Sequence, residues 1–450
     1  MKILFIANGF PSHRWAGTET YTAAIAGGLQ TSGHDVQVLC AGEWEEGPNH
    51  WNGFRDDVHN NIPVRRLDLN WKRSSDPFRY LYANPVVAGY LADYLDDVRP
   101  DLVHVSSCET LSASILGVVK KRRIPLVLSI TDFWFICPRI TLLRSDGENC
   151  SGVTTAWDCL SCLARDSVPY GWAKKVMPRP LMRPILTMIG NMPPVTRQRG
   201  FRGMWGNVAA RKEYLRHAFS LPDVRMVASH FVKNIYETNG FDNPVKFHPY
   251  GHDLTWLAAY HGKLPSETIN IGFIGQIVHF KGVHLLVDAA RRLANELGKK
   301  VKFLIYGDLQ KDPAYTKQLK LLADGLDTVQ FCGTYAHEKS AEVYSKIDVL
   351  VVPSLWYDFP LIIHEAFATQ TPVIAANIGS IAEAVIHGHN GLLFERGNIV
   401  DLTSQIRKIV NDHSLRQKLI DGIREVKSVE EETAELEETY QGLLSSLRKS

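Results

Sequence analysis

The sequence has no run of about 18 uncharged apolar residues, so it predicts no membrane-spanning helix. The opening MKILFIANGF has too short an apolar stretch for a secretory signal and predicts a first strand instead. We therefore expect a cytoplasmic protein. Binding of the basic segment of residues 165–217 to lipid would place the protein at the inner face of the membrane.

Several ligand-binding signatures are also missing. The sequence contains neither G-x-x-x-x-G-K-[ST] nor G-x-G-x-x-G, which argues against the phosphate-loop and dinucleotide-binding classes. No Asp-x-Asp motif stands out as a donor-metal site, so we expect chemistry that needs no metal ion.

A chain of 450 residues, 45% hydrophobic and 22% charged, is too long for one core and predicts two soluble domains. The net charge is only +2, but residues 165–217 hold eleven Lys or Arg against two acids. This basic segment suits peripheral contact with a membrane or an anionic acceptor. A solvated basic face explains it equally well.

Short β-branched runs alternate with helical stretches, which predicts an α/β fold of two Rossmann-like, doubly wound domains. The predicted domains are residues 1–250 and 251–420, and the acidic helix in 421–450 is either solvated or packs back on the first domain. The predicted strands are 2–9, 35–42, 102–107, 125–132 and 224–229, followed by 269–275, 301–308, 329–333, 349–354 and 372–377.

Three glycine-bearing or proline-bearing loops follow predicted strands. The loop from Gly275 to Gly282 precedes an amphipathic helix and carries Lys281, so it has the geometry of an anion site. Pro360 fits a helix start, which leaves the N–H groups of Leu361 and Ile362 for an anion. Gly17 would let the backbone approach a phosphate. Glu365 either pairs with a lysine or accepts hydrogen bonds from two vicinal hydroxyls, such as those of a ribose.

Four of the seven cysteines, Cys137, Cys150, Cys159 and Cys162, lie within 26 residues. In a cytosolic chain this clustering favours a metal over disulfides. A structural Zn²⁺ held by all four thiolates would fix the loop of residues 137–165 against the first domain. Reduced unliganded thiols and a redox pair are the alternatives.

The order of these motifs resembles glycosyltransferase family 4. It runs from Gly17 and Glu19 through Asp132-Phe-Trp-Phe-Ile-Cys-Pro and the loop of residues 275–282 to the segment of residues 353–365. The resemblance implies the GT-B fold, with two Rossmann-like domains facing across a cleft, and transfer that retains anomeric configuration. It also implies that Lys281 contacts the donor diphosphate and Glu365 holds the ribose.

The chain departs from the family pattern at three places. Gln276 stands where the family usually has arginine, so Lys281 would carry more of the charge on the diphosphate. Thr131-Asp132 stands where the family commonly ends a strand with His-Asp. Asp358, followed by Phe359, replaces a glutamate in a loop that is one residue shorter.

The sequence therefore predicts a retaining glycosyltransferase that moves a sugar from a UDP- or GDP-sugar to a hydroxyl of a glycan or lipid-linked acceptor, in cell-surface polysaccharide synthesis. We expect Lys281, Glu365 and Asp132 to be catalytic, Glu19 and Thr131 to lie on the acceptor side, and no nucleic-acid partner. The alternatives are a GT-B nucleotide-sugar epimerase and a non-catalytic glycan- or membrane-binding protein. The predicted donor-binding residues are Gly17, Gln276, Lys281, Asp358, Phe359, Leu361, Ile362 and Glu365.

Overall fold

The computed structural model describes residues 1–13, 16–164, 184, 208–357 and 361–447. The chain forms two compact units, Met1–Tyr250 with Glu430–Ser450, and Gly251–Val429. Each unit is built on a mainly parallel sheet with helices, which confirms the predicted fold class. Within the described residues, no helix is both long and apolar enough to cross a bilayer.

The first unit contains an eight-stranded sheet in the order β3-β4-β2-β1-β5-β6-β7-β8, in which only the β3–β4 pair is antiparallel. Its strands are β1 (Lys2–Ala7), β2 (Asp35–Ala41), β3 (Trp51–His59), β4 (Ile62–Leu69), β5 (Leu102–Val105), β6 (Leu126–Ile130), β7 (Val224–Val227) and β8 (Lys246–Phe247). Its helices before the C-terminal segment are α1 (Gly17–Thr31), α2 (Pro77–Tyr82), α3 (Pro85–Val98), α4 (Ser114–Lys121), α5 (Ala156–Ala164), α6 (Val208–Ser220) and α7 (His230–Thr238).

The second unit contains a six-stranded parallel sheet in the order β11-β10-β9-β12-β13-β14. Its strands are β9 (Ile269–Ile274), β10 (Val301–Tyr306), β11 (Val329–Gly333), β12 (Val349–Val352), β13 (Val373–Ala376) and β14 (Gly391–Phe394). Its helices are α8 (Val283–Leu297), α9 (Pro313–Leu322), α10 (Ser340–Ser345), α11 (Leu361–Ala368), α12 (Gly379–Ala384), α13 (Ile399–Asn411) and α14 (His413–Asp421).

Both faces of the second sheet are covered by apolar side chains. In β10, Phe303 and Ile305 join the core on one face, whereas Leu304 and Tyr306 join the core on the other. Because successive side chains of a strand point to opposite faces, a run such as VKFLIY forms a strand that is buried on both sides. This burial explains why the central strands read as almost continuous apolar runs.

Each sheet has one point where the chain reverses its direction of winding. In the first unit this switch point lies between β1 and β5, and in the second it lies between β9 and β12. The loops at the carboxyl ends of these strands diverge there and leave a crevice in which α/β proteins bind ligands. Most of the predicted site residues fall at these two switch points.

The last helix, α15 (Val429–Leu447), packs on the first unit. The Glu432 side chain is fully buried there; it accepts a 3.1 Å hydrogen bond from the Tyr21 hydroxyl and lies 3.1 Å from Nε2 of His248. The hydroxyl of Tyr440 contacts Nδ1 of buried His104. These buried polar contacts tie the C-terminal helix to the first sheet, because each would leave an unsatisfied group if the helix detached.

Most of the predicted basic segment lies outside the described residues. Its described part includes the start of α6, in which Arg211 is only 4% exposed whereas Lys212 and Arg216 are exposed. Arg211 therefore belongs to the interior of the first unit and contributes nothing to a basic surface.

Candidate active site

Two loops meet at the switch point of the second unit. The loop after β9 contacts the loop after β12 through a 2.8 Å hydrogen bond from the backbone N–H of Leu355 to the carbonyl of Phe280. Gly282 has φ of +73°, and a Cβ atom placed on it would lie 1.9 Å from the carbonyl oxygen of Pro353. Only glycine fits both the left-handed backbone and this close approach, so Gly282 holds the two loops together.

Lys281 ends the short 3₁₀ turn His279–Lys281 just before α8. Its Nζ atom lies 5.6 Å from the ring centroid of Trp356 in the neighbouring loop, within the range of a cation–π contact. The ammonium group is thus held at the carboxyl edge of the sheet, near the start of a helix. The ammonium group and the positive partial charge of the first helical turn together make this loop electrostatically suited to an anion.

Glu365 lies one turn into α11 and is half-buried. Its Oε2 atom accepts a 3.0 Å hydrogen bond from the hydroxyl of Tyr344, a side chain with no exposed surface. Burial raises the pKa of Glu365, and the bond from Tyr344 acts to lower it. Among the described residues Oε1 accepts no hydrogen bond, so this carboxylate has an oxygen for a ligand hydroxyl.

The other predicted donor residues of the second unit lie in two places or outside the described residues altogether. Leu361 and Ile362 form the first turn of α11, where backbone N–H groups lack partners within the helix. Gln276 is exposed, and its carbonyl accepts a 3.0 Å bond from the N–H of Val278. Asp358 and Phe359 lie outside the described residues.

An acidic cluster occupies the switch point of the first unit. Asn8, directly after β1, donates from Nδ2 to Oε1 of Glu19 at 3.1 Å and to Oε2 of Glu109 at 3.3 Å. Asn8 is 8% exposed and Glu19 is 3% exposed. Within the described chain, Oδ1 of Asn8 and Oε2 of Glu19 are buried without hydrogen-bond partners. Such atoms are costly unless a ligand or water satisfies them.

Thr131 and Asp132 follow β6 at the same edge of the sheet. The Thr131 hydroxyl donates to the carbonyl of Ser106 and accepts from the Thr18 hydroxyl, both at 3.0 Å. Oδ1 of Asp132 accepts a 2.8 Å bond from the N–H of Trp134. Burial raises the pKa of Asp132 to about 7, and the neighbouring carboxylate of Glu109 adds to the effect. Asp132 therefore both caps its loop and exchanges a proton near neutral pH.

Gly17 is the exposed first residue of α1. A Cβ atom on it would meet nothing within 4 Å, and its φ is not in the left-handed region. The preceding residue, Ala16, provides no side-chain cap for the helix start. The described protein contacts thus give no reason for a glycine here, whereas a bound group that approaches the backbone would.

The four clustered cysteines line one cavity in the first unit and form no disulfide. Nowhere in the described ranges do three or more His, Cys, Asp or Glu side chains have the geometry of a metal site. The structure therefore brings the four thiols into one place without closing them on a common point.

Sequence reasoning missed four residues that the fold places at these sites. Asn8 and Glu109 follow strands β1 and β5, so an inspection of every polar residue at a strand end would have found them. Trp356 beside Lys281 and Tyr344 beside Glu365 carry no such signal, because their contacts depend on how separate loops and helices pack.

Two family models match the chain. Residues 261–426 match the model described as glycosyl transferases group 1, and residues 16–198 match the glycosyl transferase 4-like domain.

Curated relatives are similar over part of their length. The chain is 27% identical over 180 residues to the capsular polysaccharide biosynthesis glycosyltransferase CapM of Staphylococcus aureus, covering 40% of this chain and 47% of that protein. It is 32% identical over 166 residues to a D-inositol 3-phosphate glycosyltransferase of Stackebrandtia nassauensis, covering 35% of this chain and 38% of that protein. The matches thus span less than half the length of these relatives.

Solved structures show the same fold over nearly the whole chain. Anabaena HepE in complex with UDP superposes with a TM-score of 0.66 at 17% identity, covering 98% of this chain and 100% of that chain. Sucrose-phosphate synthase from Thermosynechococcus elongatus gives 0.64 at 17% identity, covering 99% and 100%. The two family models together match most of the chain, which therefore belongs to the family 4-like glycosyltransferases.

Proposed function

We propose that this glycosyltransferase moves a sugar from a UDP- or GDP-sugar to a hydroxyl of a glycan or lipid-linked acceptor, with retention of anomeric configuration. The observation that carries the proposal is that Lys281 and Glu365 follow the two strands, β9 and β12, that flank the switch point of the second unit. A cation beside a helix start suits a diphosphate, and a carboxylate with an available oxygen suits the hydroxyls of a ribose.

Solved structures of a similar fold also support a nucleotide-sugar donor. The related fold of Anabaena HepE was solved with UDP and with UDP-glucose. In this chain, the diphosphate would lie against the ammonium of Lys281 and the first N–H groups of α8 and α11, with the ribose on Glu365.

The proposed reaction forms a bond between the acceptor oxygen and the anomeric carbon while the bond from that carbon to the β-phosphate oxygen breaks. Negative charge develops on the departing phosphate, and a fixed cation such as Lys281 lowers the barrier by stabilising it. The leaving phosphate takes the hydroxyl proton on the same face of the sugar. No metal ion is needed to balance this step, and we propose metal-independent transfer.

We propose that the acceptor binds to the first unit. Asp132 would accept a hydrogen bond from the acceptor hydroxyl and orient it. Oε2 of Glu19 and Oδ1 of Asn8, which have no hydrogen-bond partner among the described residues, would accept hydrogen bonds from further acceptor hydroxyls. Thr131 positions this edge through its bond to Thr18. The curated relative in capsular polysaccharide synthesis supports a glycan or lipid-linked acceptor in cell-surface polysaccharide synthesis.

The experiment is a screen of UDP- and GDP-sugars by thermal shift, followed by transfer assays with the stabilising donor and a panel of glycan and lipid-linked acceptors. We expect one nucleotide series to stabilise the protein and product to form in the presence of chelator. Nuclear magnetic resonance of the new linkage should show the donor's anomeric configuration, and an inverted linkage would refute retention.

Two alternatives are separated by the same assays. A nucleotide-sugar epimerase would convert the donor in the absence of any acceptor, so an altered sugar in that control would overturn the transfer proposal. A non-catalytic glycan- or membrane-binding protein would bind neither UDP nor GDP in calorimetry.

A further inference from the structure

Cys137, Cys150, Cys159 and Cys162 lie in three different local segments of the first unit and line the same cavity. The cavity has a volume of about 310 Å³, and all four residues are half-buried. The cavity therefore brings the four cysteine side chains to one place. It lies outside the two switch points, so the proposed transfer reaction does not use it.

Local structure presents these thiols to the cavity. Cys159 and Cys162 are three residues apart on α5 and so share one face of the helix. The N–H of Cys150 donates a 2.7 Å bond to the carbonyl of Leu142, and a bridge between Leu143 and Asn149 closes the hairpin before it. The N–H of Cys137 donates to the carbonyl of Phe133 at 2.8 Å.

Two arginines face the thiols. Arg211 is 4% exposed, donates to the carbonyl of Trp134 and interacts electrostatically with Cys137 and Cys159. Arg144 interacts electrostatically with Cys150 and Cys162. Arg211 forms no ion pair with a carboxylate in the described part of the chain, although buried arginines are almost always paired. Its missing counter-charge is what four thiolates around a divalent ion would supply.

We propose that the four thiolates bind one Zn²⁺ in a closed, tetrahedral structural site. A Zn²⁺ ion with four thiolates is doubly negative, and the two guanidiniums neutralise that charge. Since no three of these side chains already stand at metal-binding distances, the thiols must close on the ion, releasing their protons as they bind. Such closure couples metal binding to ordering of the loop.

The consequence lies in the segment that precedes Cys137. The N–H of Phe133 donates a 3.2 Å bond to the carbonyl of Ile140, inside the loop that the metal would close. Fixing this loop would hold Phe133 and, through it, the neighbouring Asp132. The metal would therefore fix the position of the acceptor-side edge of the first sheet and take no part in the transfer step itself.

The first test is metal analysis of tag-free protein purified without chelator. We expect about one zinc per chain. Cys150→Ser and Cys162→Ser should each lose most of it, whereas Cys332→Ser, which removes an exposed thiol outside the cluster, should retain it. Zinc that persists in both cluster variants would place the metal elsewhere and overturn the proposal.

A second test needs no variant and so remains informative if the variants fail to fold. Wild-type protein stripped of metal and titrated with Co²⁺ should develop thiolate-to-cobalt charge-transfer bands and intense tetrahedral d–d bands, saturating at about one equivalent. Bound zinc should also protect the four cysteines from alkylation. Zinc at the level of the buffer blank without cobalt bands would overturn the proposal, as would a disulfide between cluster cysteines in non-reducing peptide mapping.

Discussion

The hydroxyl of Tyr344 donates a 3.0 Å hydrogen bond to Oε2 of Glu365. Tyr344 is fully buried on α10, stacks on Trp256 with ring centroids 5.5 Å apart, and therefore has little freedom to move. The bond fixes one carboxylate oxygen and orients the other. A helix carboxylate without such support would sample several rotamers, and a ligand would have to order it on binding.

Tyr344→Phe should therefore weaken nucleotide binding about tenfold, or roughly 1.4 kcal/mol. Because the bond from Tyr344 lowers the pKa of Glu365, its loss should raise that pKa further, so that affinity begins to fall at a higher pH than in the wild type. Calorimetry with UDP and GDP between pH 5 and pH 8 measures both effects.

The matched control is Tyr260→Phe. The Tyr344 hydroxyl lies 3.3 Å from the carbonyl of Ile362 as well as 3.0 Å from Glu365. The Tyr260 hydroxyl likewise donates to a backbone carbonyl of the second unit, that of Thr369 at 3.1 Å, and not to Glu365. Equal losses of affinity in the two variants would mean that the Tyr344 effect is a general loss of stability.

Lys281→Ala should reduce kcat/KM by about 10²- to 10³-fold, the cost expected for removing one group that stabilises transition-state charge. Lys281 is only partly buried, so we expect the melting temperature to change little. Lys302→Ala is the control, because Lys302 is exposed on β10 of the same unit. Activity near the wild-type level in Lys281→Ala would remove this residue from the mechanism.

Asp132 should make stability depend on pH. Its pKa is raised from 3.8 to about 7, so between these values the folded protein holds a proton that the unfolded chain has released. Stability from this group is therefore greatest in the acidic part of the window and is lost as the pH rises through 7. Asp132→Asn keeps the acceptor for Trp134 N–H and removes the titration.

We thus expect Asp132→Asn to gain stability relative to the wild type as the pH is raised from 5 to 8. Thermal unfolding of both proteins across this range measures the difference. A difference that is constant with pH would show that Asp132 titrates at its ordinary value in the folded state.

The sequence predicts the central strands well and the sheet edge poorly. All ten predicted strands exist, because strands buried on both faces read as apolar runs. The sequence pattern does not predict the hairpin β3–β4, because β3 is partly exposed and carries Arg55, Asp56 and Asp57. Its turn, Asn60-Asn61, has positive φ at both residues, as two-residue hairpin turns require. This Asn-Asn pair is the sequence feature that could have predicted the hairpin. The short strands β8 and β14 were also missed.

At the candidate site, sequence reasoning finds the residues that glycines and strand ends mark, such as Lys281. It cannot weigh the two interpretations of Glu365, because the choice depends on whether a lysine or a tyrosine packs beside it. The partner is Tyr344, 21 residues away on another helix. Pairings of this kind come from tertiary packing, for which the local pattern holds no information.

Gly282→Ala should separate backbone strain from steric conflict. Gly282 has φ of +73° and meets the carbonyl of Pro353, whereas Gly388 has φ of +75° and a Cβ atom placed on it would meet nothing within 4 Å. Alanine at Gly388 should cost only the left-handed strain of about 1–2 kcal/mol. Alanine at Gly282 must also push the two loops of the donor site apart, so it should lose more stability and most of its nucleotide affinity. Denaturant unfolding and calorimetry compare the pair, and similar losses in both variants would mean that the contact between Gly282 and Pro353 does not hold the site together.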